Sequence, residues 1–184
     1  LQDNIGSGSG SMSLNVNNYA TNYTTSLGGT NSYSGLTTIT KGYLIITNGS
    51  ALGSTTTGTV VTSSGTLQLQ GGIIVGDESL TINGSTNSGS LYNYSGNNVW
   101  GGSITLGSVS TIYNNSGALT LNPASGSAIG SSNFGLTISG NGTSTISGTV
   151  SLGTGGLSTN NGTVILMTDN SYSGSTSVGS GALN

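Results

Sequence analysis

The residues best suited to chemistry are two adjacent carboxylates, Asp77 and Glu78, in the segment GGIIVGDES. A pair of carboxylates is the usual apparatus of glycoside hydrolysis. Adjacent residues on a strand point to opposite faces, however, and on a turn both are usually solvated. The sequence therefore favours a structural role for this pair over a catalytic one.

The same segment contains the one candidate for metal binding. A Gly-Gly…Gly-Asp pattern is typical of calcium-binding nonapeptide repeats, which need the motif in successive turns. Here the pattern occurs once. Asp77 and Glu78 are thus a calcium candidate without the repetition that such sites use, and we predict no cofactor.

Other catalytic arrangements lack their partners. The chain has no histidine, no cysteine and no arginine, and Lys41 is its single basic residue. A nucleophilic serine needs a neighbouring base, and lyase chemistry needs a basic group at the substrate. We therefore predict that the protein is not an enzyme.

Composition also argues against two classes of partner. One lysine and a net charge of -3 cannot provide the basic surface that neutralises phosphates, so we expect no nucleic acid. No apolar run approaches the roughly 18 residues of a membrane-spanning helix. Without cysteine there are no disulfides, which is compatible with a location outside the cell.

The aromatic residues are the remaining candidates for a binding surface. Aromatic side chains stack on sugars, but they also fill cores and stack at the corners of repeat folds. We interpret most of them as structural. The candidates for a ligand or contact surface are Tyr19, Tyr23, Tyr43, Tyr92 and Tyr94.

All of these residues lie in a background of short apolar alternations bounded by Gly, Asn and Ser. Period-two alternation over three to five residues predicts strands with one buried face. One motif recurs: a Tyr-Ser-Gly turn followed by alternating apolar residues. It begins at Asn31, Asn93 and Asn170, and the first and last copies align without a gap.

Short strands suit a sandwich, a barrel or a solenoid. The motif tyrosines Tyr33, Tyr94 and Tyr172 are spaced by about three and four times 20 residues, the coil length of a β-solenoid. We therefore predict an all-β, parallel β-helix of about nine coils of roughly 20 residues. Residues 1–184 form a single solenoid segment, in which residues 1–30 are less regular.

The alternation also predicts which side chains point inward and which corners carry polar ladders. Asn and Thr at equivalent corners are expected to form hydrogen-bonded ladders between coils. The predicted inward residues are Leu44, Ile46, Leu67, Leu69, Leu80, Ile82, Leu119, Leu121, Leu136, Ile138, Val164 and Leu166.

The motifs resemble the passenger regions of bacterial autotransporters that carry the autotransporter-associated β-strand repeat. The segment from Asn31 to Gly53 has Tyr-Ser-Gly, Thr-x-Ile, Gly-x-Leu and Ala-Leu-Gly, and similar blocks span 95–106, 117–121 and 156–174. The resemblance implies a right-handed β-helix displayed outside the cell as a stalk, adhesin or biofilm matrix protein. Lys41 and Tyr43 depart from the small residues usual at that turn.

The two ends of the chain complement each other in this pattern. The last motif stops at Asn184, and joining it to Leu1 places Leu183 and Leu1 in alternation, followed by Ile5-Gly6. We therefore expect the coils to continue, either in a tandem array or by end-to-end stacking of copies. The predicted function is a structural extracellular solenoid, and the alternatives are a glycan-binding adhesin module and a carbohydrate-active enzyme.

Overall fold

The computed structural model describes residues 11–84 and 89–184, and within these ranges it contains strands, turns and no helix. Strands pair only in parallel, in one sheet of fourteen strands and one of six. The chain winds around three sides, which we call A, B and C. The predicted parallel β-helix is therefore confirmed.

Two long strands turn the corner between sides A and B, namely β3 (Thr37–Ile46) and β4 (Thr59–Gln70). The other strands each occupy one side. Side A contains β1 (Leu14–Asn17), β6 (Leu80–Ile82), β9 (Ile104–Leu106), β12 (Ser127–Gly130), β15 (Thr149–Gly153) and β18 (Ser171–Tyr172). Side B contains β2 (Thr24–Leu27), β7 (Leu91–Ser95), β10 (Ser110–Asn114), β13 (Leu136–Ser139), β16 (Leu157–Asn160) and β19 (Thr176–Val178). Side C contains β5 (Ile74–Val75), β8 (Asn98–Trp100), β11 (Ala118–Leu121), β14 (Thr143–Ile146), β17 (Thr163–Leu166) and β20 (Ala182–Leu183).

The strands on side A define about eight coils, close to the predicted nine. The difference follows from coil length. Leu157 pairs with Thr176 and Ile112 with Ile138, so one coil takes about 19 to 26 residues, where the repeat spacing predicted roughly 20. With strands spaced by about 4.8 Å, eight coils extend roughly 38 Å. The strands β1 and β2 precede the first long strand, and Leu1 and Ile5 lie outside the described residues.

The core is a stack of aliphatic side chains inside the coils. Eleven of the twelve residues predicted to point inward are buried, from Leu44 to Val164, and the prediction is confirmed for them. Leu166 is only partly buried and packs against the core from the penultimate coil. Trp100 is also fully buried, between Val75 and Leu121 of the adjacent coils.

The recurring motif has a common local structure but does not recur on a common side. The hydroxyl groups of Tyr33 and Thr37 are hydrogen-bonded at 2.6 Å. Those of Tyr172 and Thr176 form the equivalent bond at 2.9 Å. The strand that follows the motif lies on side A in the first copy, side C in the second and side B in the third. The copies are therefore not separated by whole numbers of coils, and the reading of the tyrosine spacings as three and four coils was wrong. The motif specifies a corner followed by a strand, and any of the three corners accepts it.

A buried amide ladder joins the coils at the corner between sides B and C, as the sequence predicted for Asn residues. The Asn93 side-chain amide donates to Asn114 Oδ1 at 2.7 Å, and Asn98 donates in turn to Asn93 Oδ1. The Asn114 amide donates to Ser144 Oγ at 3.2 Å. All four side chains are at most 2% exposed. Each of these buried side chains therefore has a hydrogen-bond partner, and an unpaired polar group at this depth would cost free energy.

The amide ladder gives the first testable expectation. Asn114→Ala removes one acceptor of the Asn93 amide, which still reaches Ser116 O at 3.1 Å, and the donor to Thr143 O and to the buried Ser144 hydroxyl. Because an unsatisfied buried polar group costs about 1–3 kcal/mol, we expect a loss of that size in the free energy of unfolding, measured by urea denaturation. The control is Asn115→Ala, since the neighbouring Asn115 amide bonds to Tyr94 O at the surface. Equal losses in the two variants would contradict the ladder.

Candidate functional site

The structure separates the two adjacent carboxylates. They lie at the corner that leads from β5 on side C to β6 on side A. Asp77 is exposed, whereas Glu78 is 1% exposed and points into the coil. The two groups therefore do not face one substrate. They lie in a bend between strands, and the expectation that both would be solvated on a turn was wrong for Glu78. Among the described residues no group of three His, Cys, Asp or Glu side chains is placed to hold a metal ion.

Glu78 belongs to a buried polar cluster at this corner. Its Oε1 accepts a hydrogen bond of 2.8 Å from the Thr59 hydroxyl. Thr59 pairs in register with Thr37, whose hydroxyl contacts that of the fully buried Tyr33. Glu78 Oε2 has no hydrogen-bond partner within the described part of the chain. The carboxyl is thus held on one oxygen and unsatisfied on the other.

This environment changes the acidity of both groups. Burial raises the pKa of Glu78 to about 7, against a smaller opposing effect of the Thr59 hydrogen bond. Burial also raises the pKa of Tyr33; the Thr37 hydrogen bond lowers it by less, and the charge of Glu78 raises it further. A charged carboxylate is disfavoured inside the coil because no cation faces it and the medium solvates it poorly.

The tyrosines predicted to form a contact surface divide into two groups. Tyr19 and Tyr23 lie in the segment between β1 and β2, with exposed fractions of 88% and 55% and ring centroids 6.2 Å apart. Beside them the Lys41 ammonium donates to Tyr19 O at 3.0 Å. The single basic side chain therefore fastens this loop to the next coil.

The second group is a continuous aromatic surface on side B. We call Tyr43, Tyr92, Tyr94 and Tyr113 the tyrosine patch. The Tyr92 ring centroid lies 5.7 Å from that of Tyr94 and 5.5 Å from that of Tyr113, with interplanar angles of 89° and 74°. Leu91 and the side chains that alternate with these rings are buried, so the tyrosines stand on the outer face.

Three neighbouring phenols lie close enough to Tyr92 to affect its pKa. Burial raises the pKa of Tyr92, and the neighbouring phenols of Tyr113, Tyr94 and Tyr43 raise it further. Tyr92 and Tyr113 pair directly between adjacent coils. Tyr43 lies two coils before Tyr92 and two residues to one side of its row, because Gln68 pairs with Ile45 and Tyr92 while Tyr43 pairs with Thr66. The patch therefore runs obliquely across side B and covers about 14 Å in the direction of the axis, given about 4.8 Å between coils.

No family model, no curated protein and no solved structure matches this chain. The geometry of its own residues is therefore the basis for any functional conclusion. Within the described ranges the structure has no helix long and apolar enough to cross a membrane.

Two functional features escaped the sequence argument. Tyr113 was assigned to a strand but not to the surface set, although its position between buried Ile112 and Asn114 makes it outward. Its pairing with Tyr92 depends on the coil register, which the sequence did not provide. The burial of Glu78 was the other omission, and the apolar Ile-Ile-Val run before it was the available signal.

The last coil is the third notable surface. Within the part of the chain that the structure describes, strands β18, β19 and β20 are each hydrogen-bonded to one neighbouring strand only. Val178 is 49% exposed, although its place in the register belongs to the interior row. Edges of this kind can pair with another strand.

Proposed function

We propose that this protein is a structural, non-catalytic β-solenoid that works as an extracellular spacer or fibre and stacks end to end through its coil edges. The observation that carries the proposal is a row of interior residues that continues without a break across seven coils. The members of that row are Leu44, Leu67, Leu91, Ile112, Ile138, Thr159 and Val178.

The end coil has few of the features that prevent strand pairing. Proteins protect exposed edges with charged side chains, proline or bulges. From Ser171 to Asn184 there is no charged residue and no proline. Among the strands of the described ranges, β1 and β2 are hydrogen-bonded only to β3. Pairing of β18–β20 with the first coil of a second copy would extend the parallel ladder and cover Val178.

The surface supports a role outside the cell in contact with water. Charged residues make up 3% of the sequence, and the sides are covered by Ser, Thr and Asn. Cohesion of such a stack rests on backbone hydrogen bonds and aliphatic packing, and little of it on ion pairs. The resemblance to autotransporter passengers supports the same setting, a stalk or matrix protein at a bacterial surface.

End-to-end stacking predicts concentration-dependent association. We expect multi-angle light scattering to show species larger than one chain, and electron microscopy to show unbranched particles of one solenoid's width. Val178→Lys places a charge where the next coil would bury it, so this variant should be monomeric. The control is Val109→Lys, because Val109 is 60% exposed at a corner far from the end coil. A wild-type chain that stays monomeric at its highest soluble concentration would contradict the proposal.

A further inference from the structure

The tyrosine patch is an interaction surface distinct from the coil ends. It lies on the strands β3, β4, β7 and β10, in the middle of side B. Packing does not require it, because the interior row beneath it is already complete. Tyr94 is 43% exposed, and Tyr92 and Tyr113 are half-buried. Exposed aromatic side chains gathered in one place are typical of binding surfaces.

We propose that the tyrosine patch binds an extended, neutral polysaccharide that lies obliquely across side B. The C–H groups of a pyranose ring carry partial positive charge and pack on the negative face of an aromatic ring. Tyr92 meets Tyr94 and Tyr113 edge to face, an arrangement that leaves more ring face uncovered than parallel stacking does. The phenol hydroxyls supply donors and acceptors for the sugar hydroxyls.

The charge of this side selects the ligand class. The strands that carry the patch contain one charged residue, Lys41, whose ammonium bonds to Tyr19 O beside the adjoining loop. With no second cation, the surface cannot neutralise a polyanion such as nucleic acid or an acidic polysaccharide. A neutral polysaccharide loses little solvation on contact with this uncharged face.

The shape of the patch selects an extended chain. The four tyrosines are carried by coils two, four and five, and Gln68 of coil three pairs with Tyr92. Gln68 is 7% exposed, and its amide lies 3.4 Å from Gln70 Oε1. The resulting surface is elongated and oblique, since Tyr43 and Tyr94 lie on opposite sides of the Tyr92–Tyr113 row, and it covers about 14 Å along the axis. A straight polysaccharide can contact several rings at once, whereas a coiled one meets only one or two.

Affinity electrophoresis in gels that contain a soluble polysaccharide tests this proposal. Hydroxyethylcellulose is the neutral extended probe, amylose is the coiled one, and polygalacturonate is the anionic one. We expect retardation of the wild-type chain by hydroxyethylcellulose, weaker retardation by amylose, and none by polygalacturonate. No retardation by hydroxyethylcellulose, or equal retardation by polygalacturonate, would overturn the proposal.

Variants locate the binding surface. Tyr92→Ala with Tyr113→Ala should weaken binding at least tenfold, while Tyr92→Phe with Tyr113→Phe retains the rings and most of the binding. The matched control is Tyr19→Ala with Tyr23→Ala, which removes the other edge-to-face pair. Loss of binding in the control with retention in the patch variant would place the site elsewhere and overturn the assignment.

Two further measurements distinguish a loss of polysaccharide binding from misfolding and from a change in association state. If the double alanine variant fails to fold by circular dichroism, Tyr94→Ala replaces it, since that side chain is substantially exposed.

Light scattering on the same samples measures the association state of each variant. A patch variant that changes the association state and leaves polysaccharide binding intact would show that the patch contacts other protein copies, against the proposal. Monomeric wild type with patch-dependent binding would overturn end-to-end stacking and leave this inference standing.

Discussion

Replacement of Ile104 by aspartate is expected to unfold the protein at room temperature, or to lower its melting temperature steeply. Ile104 is 1% exposed on β9 and pairs in register with Leu80 and Ile129 on the coils before and after it. The aspartate would lie between aliphatic side chains. A buried carboxylate without a partner costs several kcal/mol, and the total stability of a domain is only about 5–15 kcal/mol.

The adjacent residue provides a strict control. Thr105 is exposed on the same strand, on the opposite face. Thr105→Asp therefore introduces the same charge at nearly the same place but leaves it in water. We expect its melting temperature to stay within a few degrees of the wild type, measured by circular dichroism. Comparable destabilisation of both variants would mean that the inward and outward assignments of this strand are wrong.

The second large effect concerns the dependence of stability on pH. Burial raises the pKa of Glu78 to about 7, from an ordinary value of 4.5. The folded protein therefore holds a proton that the unfolded chain releases between these values. Stability is highest below about pH 4.5 and falls as pH rises through 7, because ionisation is disfavoured inside the coil. The shift corresponds to about 3 kcal/mol.

Glu78→Gln isolates this contribution. The glutamine side chain keeps the oxygen that accepts from Thr59 but does not ionise. The free energy of unfolding of the variant should lose the decline between pH 4.5 and 7, and at pH 8 the variant should be more stable than the wild type. The diagnostic quantity is the slope with pH, since the amide group also changes the hydrogen bonding at the unsatisfied position.

The neighbouring carboxylate controls for surface effects. Asp77→Asn removes an exposed charge of the same sign one position away. Its unfolding free energy should follow the pH profile of the wild type. The burial of Glu78 would be refuted if Glu78→Gln retained the decline, or if Asp77→Asn abolished it. Tyr33, the titratable group whose pKa Glu78 influences, ionises above this pH range and does not contribute to the slope.

Much of the strand content was determined by the sequence, since alternation is a local property. Leu119 and Leu121 flank Thr120, and that pattern alone assigns the two leucines to the interior. Positive φ angles at Gly42 and Gly181 likewise confirm the alignment of the first and last motifs. The absence of histidine, cysteine and arginine limited the available chemistry before any coordinates were considered.

Several short strands were not predicted, including β2 and β12. Their sequences, TTSL and SAIG, lack a clear alternation of large apolar residues. They form strands because the backbone N–H and C=O groups of the adjacent coil lie alongside them and form hydrogen bonds with them. Strand propensity is weak and depends on such neighbours, so a single short segment does not reveal it.

The candidate surfaces depended on tertiary structure for the same reason. Sequence alone identified Tyr92 and Tyr94 as surface candidates, but only the coil register brought Tyr113 against Tyr92. Coil length varies because corners accept insertions without disturbing the strands, and contacts between coils cannot be calculated from a fixed period. The local sequence thus determined which residues turn inward. The accumulated lengths of the corners decided which residues meet, on which side they lie, and that Glu78 is enclosed.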